Sequence, residues 1–69
     1  MKIRYIGKNF IPIGLAKNIV PALTNGKIYS VINVVELGYV VIDDIGKTVI
    51  ISKDDIEVQW IWINYSLNG

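Results

Sequence analysis

No cysteine and no histidine occur in the 69 residues. Their absence removes disulfides, thiolate nucleophiles, imidazole acid–base chemistry and the usual zinc ligands. Long apolar runs are missing as well. Gly7, Lys8, Asn9 and Pro12 interrupt the segment that begins Met1-Lys2-Ile3-Arg4-Tyr5, so no stretch of signal-peptide length follows the early positive charge. No segment approaches the length of a membrane span, and no membrane association is expected. The lack of cysteine fits a reducing compartment, so the expected location is the cytoplasm, of a bacterium or of a phage-infected host. Alanine is scarce too. Two alanines stand against fourteen isoleucines and six asparagines, a bias that suggests an AT-rich genome such as that of a low-GC bacterium or its phage.

What the chain does contain is apolar surface. At 52% hydrophobic residues it is too apolar for disorder. At 69 residues it forms one domain near the lower size limit for a self-sufficient core, without room for a deep catalytic cleft. The expectation is a protein that is not an enzyme and carries no cofactor.

The net charge of +1 conceals an asymmetry. Residues 1–27 hold Lys2, Arg4, Lys8, Lys17 and Lys27 without an acid, and residues 28–69 hold six acids against Lys47 and Lys53, giving +5 and −4. Such opposition reads first as neutralisation within the fold. It reads second as a nucleic-acid footprint, which normally brings net basicity with it.

Lys2-Ile3-Arg4-Tyr5-Ile6 alternates and predicts a short half-buried strand ended by Gly7. Residues 7–24 are punctuated by Gly7, Pro12, Gly14 and Pro21 around Phe10-Ile11, Leu15-Ala16 and Ile19-Val20, which predicts a long apolar loop packed on the domain. Asn25-Gly26 is a turn signal. Strands are predicted over Lys27–Val35, Tyr39–Ile42 and Lys47–Ser52, with Asp43-Asp44-Ile45-Gly46 as a turn whose aspartates bond their own downstream backbone. Ser52-Lys53-Asp54-Asp55 has capping-box spacing, so one helical or 3₁₀ turn should precede a fifth strand, Ile56–Gln59.

Beyond that strand lies Trp60-Ile61-Trp62-Ile63-Asn64-Tyr65, with both tryptophans and apolar residues on both faces. A strand apolar on two faces must be buried twice or covered by a partner. It either closes the domain as an extra strand, covered by Phe10, Ile11, Pro12 and Leu15, or pairs with another protein.

Leu23-Thr24-Asn25-Gly26-Lys27-Ile28-Tyr29, followed by Tyr39-Val40-Val41-Ile42-Asp43-Asp44-Ile45-Gly46 and Ile56-Glu57-Val58, resembles the small SH3-like barrel proteins of Gram-positive bacteria and their phages. The resemblance covers residues 23–58 and, more weakly, Lys2 to Gly7. It implies an all-β, five-stranded SH3-like barrel (residues 1–6 and 25–59) with a long apolar loop at 7–24 and a C-terminal aromatic extension at 60–69. It implies no activity. The chain departs from the family in Lys47-Thr48-Val49-Ile50-Ile51, where acidic or aromatic residues are usual, and in its longer first loop.

Two sets of candidate residues result. Phe10, Ile11, Trp60, Trp62, Ile63 and Tyr65 form the expected partner interface, for a homodimer or a host protein. Lys2, Arg4, Lys8 and Lys27 form an alternative anion-binding set for a nucleotide or nucleic acid. The aspartates of both pairs, with Glu57, lack the alternation of a calcium loop and sit where turns and caps already require them. No catalytic or metal-binding residues are expected.

Overall fold

Residues 1–63 are described by the computed structural model, and the alternation at the N-terminus forms its first strand, β1 (Lys2–Tyr5), with Ile3 and Tyr5 buried and Lys2 and Arg4 exposed. The β-branched runs form β2 (Ile28–Val35), β3 (Gly38–Ile42) and β4 (Thr48–Ser52), close to their predicted spans. A helix, α1 (Lys53–Val58), follows directly, and β5 (Trp60–Ile63) completes the set. A 3₁₀ turn, Gly14–Asn18, lies in the long loop. No helix among the described residues is long and apolar enough to cross a membrane.

The strands form one antiparallel sheet in the order β4-β3-β2-β1-β5. Its two edge strands, β4 and β5, do not pair with each other, so the sheet is not closed. It is nevertheless curled. The Trp62 ring on β5 meets the Tyr39 ring on β3 edge-on, with centroids 5.1 Å apart, although β1 and β2 separate those strands in the sheet. Between β2 and β3 the register shifts between Val31 and Asn33, a bulge that sharpens the bend. Where β3 begins, a Cβ on Gly38 would run into the backbone carbonyl of Ile51, so only glycine lets the strands approach this closely.

The segment expected as the fifth strand, Ile56–Gln59, is helical through Val58. Ser52 Oγ accepts from the Asp55 N–H at 3.1 Å, and Asp54 and Asp55 place negative charge in the first turn. Once capped, the helix continues to the Gln59 N–H, which bonds the Asp55 carbonyl at 2.9 Å. Nucleation thus overrides the β preference of Ile56 and Val58, and Ile56 enters the core from the helix instead.

Trp60 to Ile63, expected as an addition to a finished domain, is therefore the fifth strand itself. Tyr5 pairs with Trp60 and Ile3 with Trp62, so both tryptophans face inward while Ile61 and Ile63 flank Arg4 and Lys2 on the outer face. Trp60 is 4% exposed and packs against Tyr5 and Tyr29, with centroids 5.0 and 5.6 Å away. Around it the core gathers Ile3, Leu23, Val41, Ile51 and Ile56. Trp60 Nε1 donates to Asp55 Oδ2 at 3.1 Å, fastening α1 to β5.

Candidate functional site

Phe10 and Leu23 exchange two backbone hydrogen bonds, each 2.8 Å, and these close the intervening segment into an Ω-like loop. Side chains of the β3–β4 turn then hold its returning arm. Asp43, whose side chain is fully buried, accepts the Ala22 N–H on Oδ2 at 3.0 Å and the Ile45 and Lys47 N–H groups on Oδ1 at 3.1 and 2.8 Å. Lys47 Nζ donates to the carbonyls of Val20, at 2.7 Å, and Lys17, and stands 3.6 Å from Asp43 Oδ2. The turn that aims these groups needs a left-handed residue, supplied by Gly46 at φ +84°. Burial alone would raise the Asp43 carboxyl, but the three backbone donors and the Lys47 ammonium outweigh it and hold its pKa below the ordinary value.

Asp44 fastens the next stretch. Its N–H bonds the Ala22 carbonyl at 2.9 Å. Its Oδ1 accepts from Lys27 Nζ at 2.6 Å and the Tyr29 hydroxyl at 2.8 Å, and its Oδ2 from the Thr24 hydroxyl at 2.7 Å. The Tyr29 hydroxyl in turn accepts the Thr24 N–H at 2.8 Å. Partial burial works against the Asp44 carboxylate, yet its Lys27, Thr24 and Tyr29 donors prevail and lower its pKa. Burial, reinforced by the adjacent Asp44 charge, pushes the Tyr29 phenol up to about 12.

Beyond this fastened base the loop presents its apolar residues to solvent. Ile11, Ile13, Leu15 and Ile19 are 77%, 78%, 86% and 81% exposed, and Phe10 is about half exposed at the loop's foot. The expectation that the loop packs on the domain holds only for its ends, through Pro12 and Ala22-Leu23. Ile13, Leu15 and Ile19 were not singled out as interface residues. Pro12, Gly14 and Pro21 signalled the irregular backbone, but nothing in the sequence showed that Asp43 and Lys47 would hold the loop's returning arm and leave its aliphatic residues outside.

The expected interface set divides. Phe10 and Ile11 lie on the loop, and Trp60 is enclosed by the core. Trp62, 42% exposed, stands edge-on to Tyr39 on the inner face of the sheet, and half-buried Ile63 faces the other way, beside Lys2. Tyr65 lies outside the described residues. The anion-binding set divides as well. Lys27 is committed to Asp44, Lys2 and Arg4 share the exposed face of β1, and Lys8 lies past the end of that strand, at the border of a depression beside Phe10. Among the described residues Lys2, Arg4, Lys8 and Lys17 form no ion pair, so the charge halves neutralise each other at Lys27 alone.

Two open depressions flank Phe10. One, of about 780 Å³, is bordered by Tyr5, Gly7, Lys8, Asn9, Asn25 and Gln59. Its polar groups already serve the fold: Asn25 Nδ2 donates to the Gly7 carbonyl at 2.8 Å, the Asn25 N–H to Asn9 Oδ1, and the Tyr5 hydroxyl to the Lys8 carbonyl at 2.7 Å. The other, about 440 Å³, is a groove of mixed polarity between the loop base, at Phe10, Val20, Pro21 and Leu23, and the β4–α1 junction, at Ile50, Ser52, Asp55 and Gln59. The arrangement offers surface and shape for binding. Comparison with known protein families, curated proteins and solved structures finds no match to this chain.

Proposed function

We propose that this chain is a non-enzymatic protein–protein interaction module, an SH3-like barrel whose contact element is the loop between Phe10 and Leu23. The observation that carries this reading is the exposure of Ile11, Ile13, Leu15 and Ile19 on a loop whose base is fixed by hydrogen bonds. Several large apolar side chains exposed on one loop suit an interaction site, and a loop ordered in advance pays less entropy when it binds. The SH3-like reading draws support from the strand order and from the short helix before the last strand. The isoleucine-rich composition and small size favour a phage or prophage protein that acts by binding, and inhibiting, a host defence protein. Self-association belongs to the same reading.

A photo-crosslinking residue at Leu15, introduced into the protein in cells of the native host, tests it. Discrete protein adducts are expected from position 15 and none from the sheet position Ser30. Identical adduct patterns from both positions would remove the loop from the proposal.

A second reading draws on cations without an ion pair among the described residues: Lys2, Arg4 and Lys8 bind a nucleotide or nucleic-acid phosphate backbone. Affinity for a single-stranded oligonucleotide should then fall steeply with salt and vanish when all three become glutamine. No binding at low salt would discard this reading.

A further inference from the structure

We infer that the free edge of β4 accepts an extended segment of a partner protein as a further strand of the sheet, with an apolar side chain of that segment entering the recess beside Phe10, Pro21 and Leu23. This extends the interaction-module reading to a second contact, one that does not involve the loop's tip. In an antiparallel pair, residues that exchange main-chain hydrogen bonds alternate with residues whose N–H and C=O turn away. The Asp43 N–H bonds the Lys47 carbonyl at 2.9 Å, so the alternation makes Val41–Val49 and Tyr39–Ile51 the bonded pairs and leaves Ile42–Thr48 and Val40–Ile50 unbonded. Thr48 and Ile50 therefore aim their N–H and C=O groups away from β3. Among the described residues these groups bond neither the loop nor α1. A row of alternating donors and acceptors about 7 Å long is met in full by another extended main chain.

The usual guards of a sheet edge are missing here. Thr48–Ser52 has no charge and no proline, and its register against β3 runs from Thr48 to Ser52 without a bulge. Lys47, the charge at its head, is turned back onto the carbonyls of Val20 and Lys17. Beside the edge lies the groove of about 440 Å³, whose opposite wall is the loop base. Its mixed lining suits a peptide, which brings polar main chain and apolar side chains together. Side chains of an added strand alternate, so every second one turns to the side of Ile51, where Phe10, Pro21 and Leu23 line the groove. A second copy of the chain suits the edge less well, because its own β4 lies beside its own loop base, whereas a free segment needs only the width of one strand.

Linear peptides of random sequence, selected by phage display on the whole chain and then synthesised, are the probe. They should bind in the micromolar range by fluorescence anisotropy, and N-methylation of one residue at a time should weaken binding at every second position. Bound peptide should slow hydrogen exchange of the Thr48 and Ile50 amides in NMR spectra. Ile50→Pro removes an N–H that β3 does not use, so the chain should stay folded by circular dichroism while affinity falls at least about tenfold. A chemically synthesised chain with an ester in place of the Ile50 amide loses the same donor without the proline ring and should bind about threefold to tenfold more weakly. A selection that yields no peptide binding below about 100 μM overturns the inference. So does binding indifferent to both changes at Ile50, or N-methylation effects without alternation. Peptides lost in Leu15→Asp but kept in Ile50→Pro assign binding to the loop, which overturns the edge and leaves the interaction-module reading standing. A wild-type dimer that Ile50→Pro dissociates makes a second copy the occupant and overturns the inference too.

Discussion

The Ala22 N–H and the Asp43 carboxylate, 21 residues apart, are joined by a buried 3.0 Å hydrogen bond. Through it one side chain of the β3–β4 turn holds the returning arm of the long loop, and the same carboxylate closes its own turn. Asp43→Asn exchanges an acceptor of three N–H groups for a group that is itself half donor. The expected loss is about 2–3 kcal/mol of unfolding free energy in urea titration. Glu36→Gln, on the exposed β2–β3 turn, should stay within about 0.5 kcal/mol.

The two aspartates also set the acid response. Both carboxyl pKa values are depressed in the fold, so their contribution is complete above the unfolded value near pH 4 and is lost as pH falls through the lower folded values. Urea midpoints measured from pH 7 down to about pH 2 should decline along this limb. Asp43→Asn should flatten the decline as well as lower its starting point.

At the alkaline end Tyr29 governs. Its phenol is held neutral up to about 12 against an ordinary 10.0, so the stability it contributes is present below pH 10 and is lost as pH rises across that interval. An absorbance titration of phenolate should lose its latest step in Tyr29→Phe. The same substitution should cost about 1–2 kcal/mol at neutral pH by stranding the Thr24 N–H.

The tryptophans, two residues apart and facing the same way, should behave differently. Trp60→Ala empties a site walled by Tyr5 and Tyr29 and should cost about 3–5 kcal/mol, enough to unfold so small a domain. Trp62→Ala removes a ring already 42% exposed and should cost about 1 kcal/mol, leaving a cooperative transition. The fluorescence that remains in Trp62→Ala, from Trp60, should resist acrylamide, whereas the wild type should show an added quenchable fraction from Trp62.

Gly38→Ala would drive a methyl group into the Ile51 backbone, which cannot yield without moving β4. A loss of about 2–3 kcal/mol is expected, read from the thermal midpoint.

Four strands were legible in the sequence because alternation and turn residues agree there: Gly26, Gly38 and the Asp43–Gly46 turn bracket runs that have no competing preference. The last strand was not. Ser52-Lys53-Asp54-Asp55 announced a helix start, but the length of the helix depended on Ile56 finding the core, a tertiary fact that β propensity opposed. That error displaced the strand by four residues and made Trp60 look like surplus surface, when it fills the centre of the fold. The loop was legible as apolar and irregular. Its outward presentation was not, since it depends on Asp43 and Lys47 reaching backbone groups 21 to 30 residues earlier.

The paired hydrogen bonds between Phe10 and Leu23 carry an engineering consequence. A segment whose two ends are bonded to each other, and whose returning arm is pinned by Asp43 and Lys47, contributes little to the rest of the fold between buried Pro12 and the Lys17 carbonyl. It is an interchangeable cassette: foreign recognition sequences of similar length inserted there should be displayed at a fixed spacing, and the sheet beneath should fold as before.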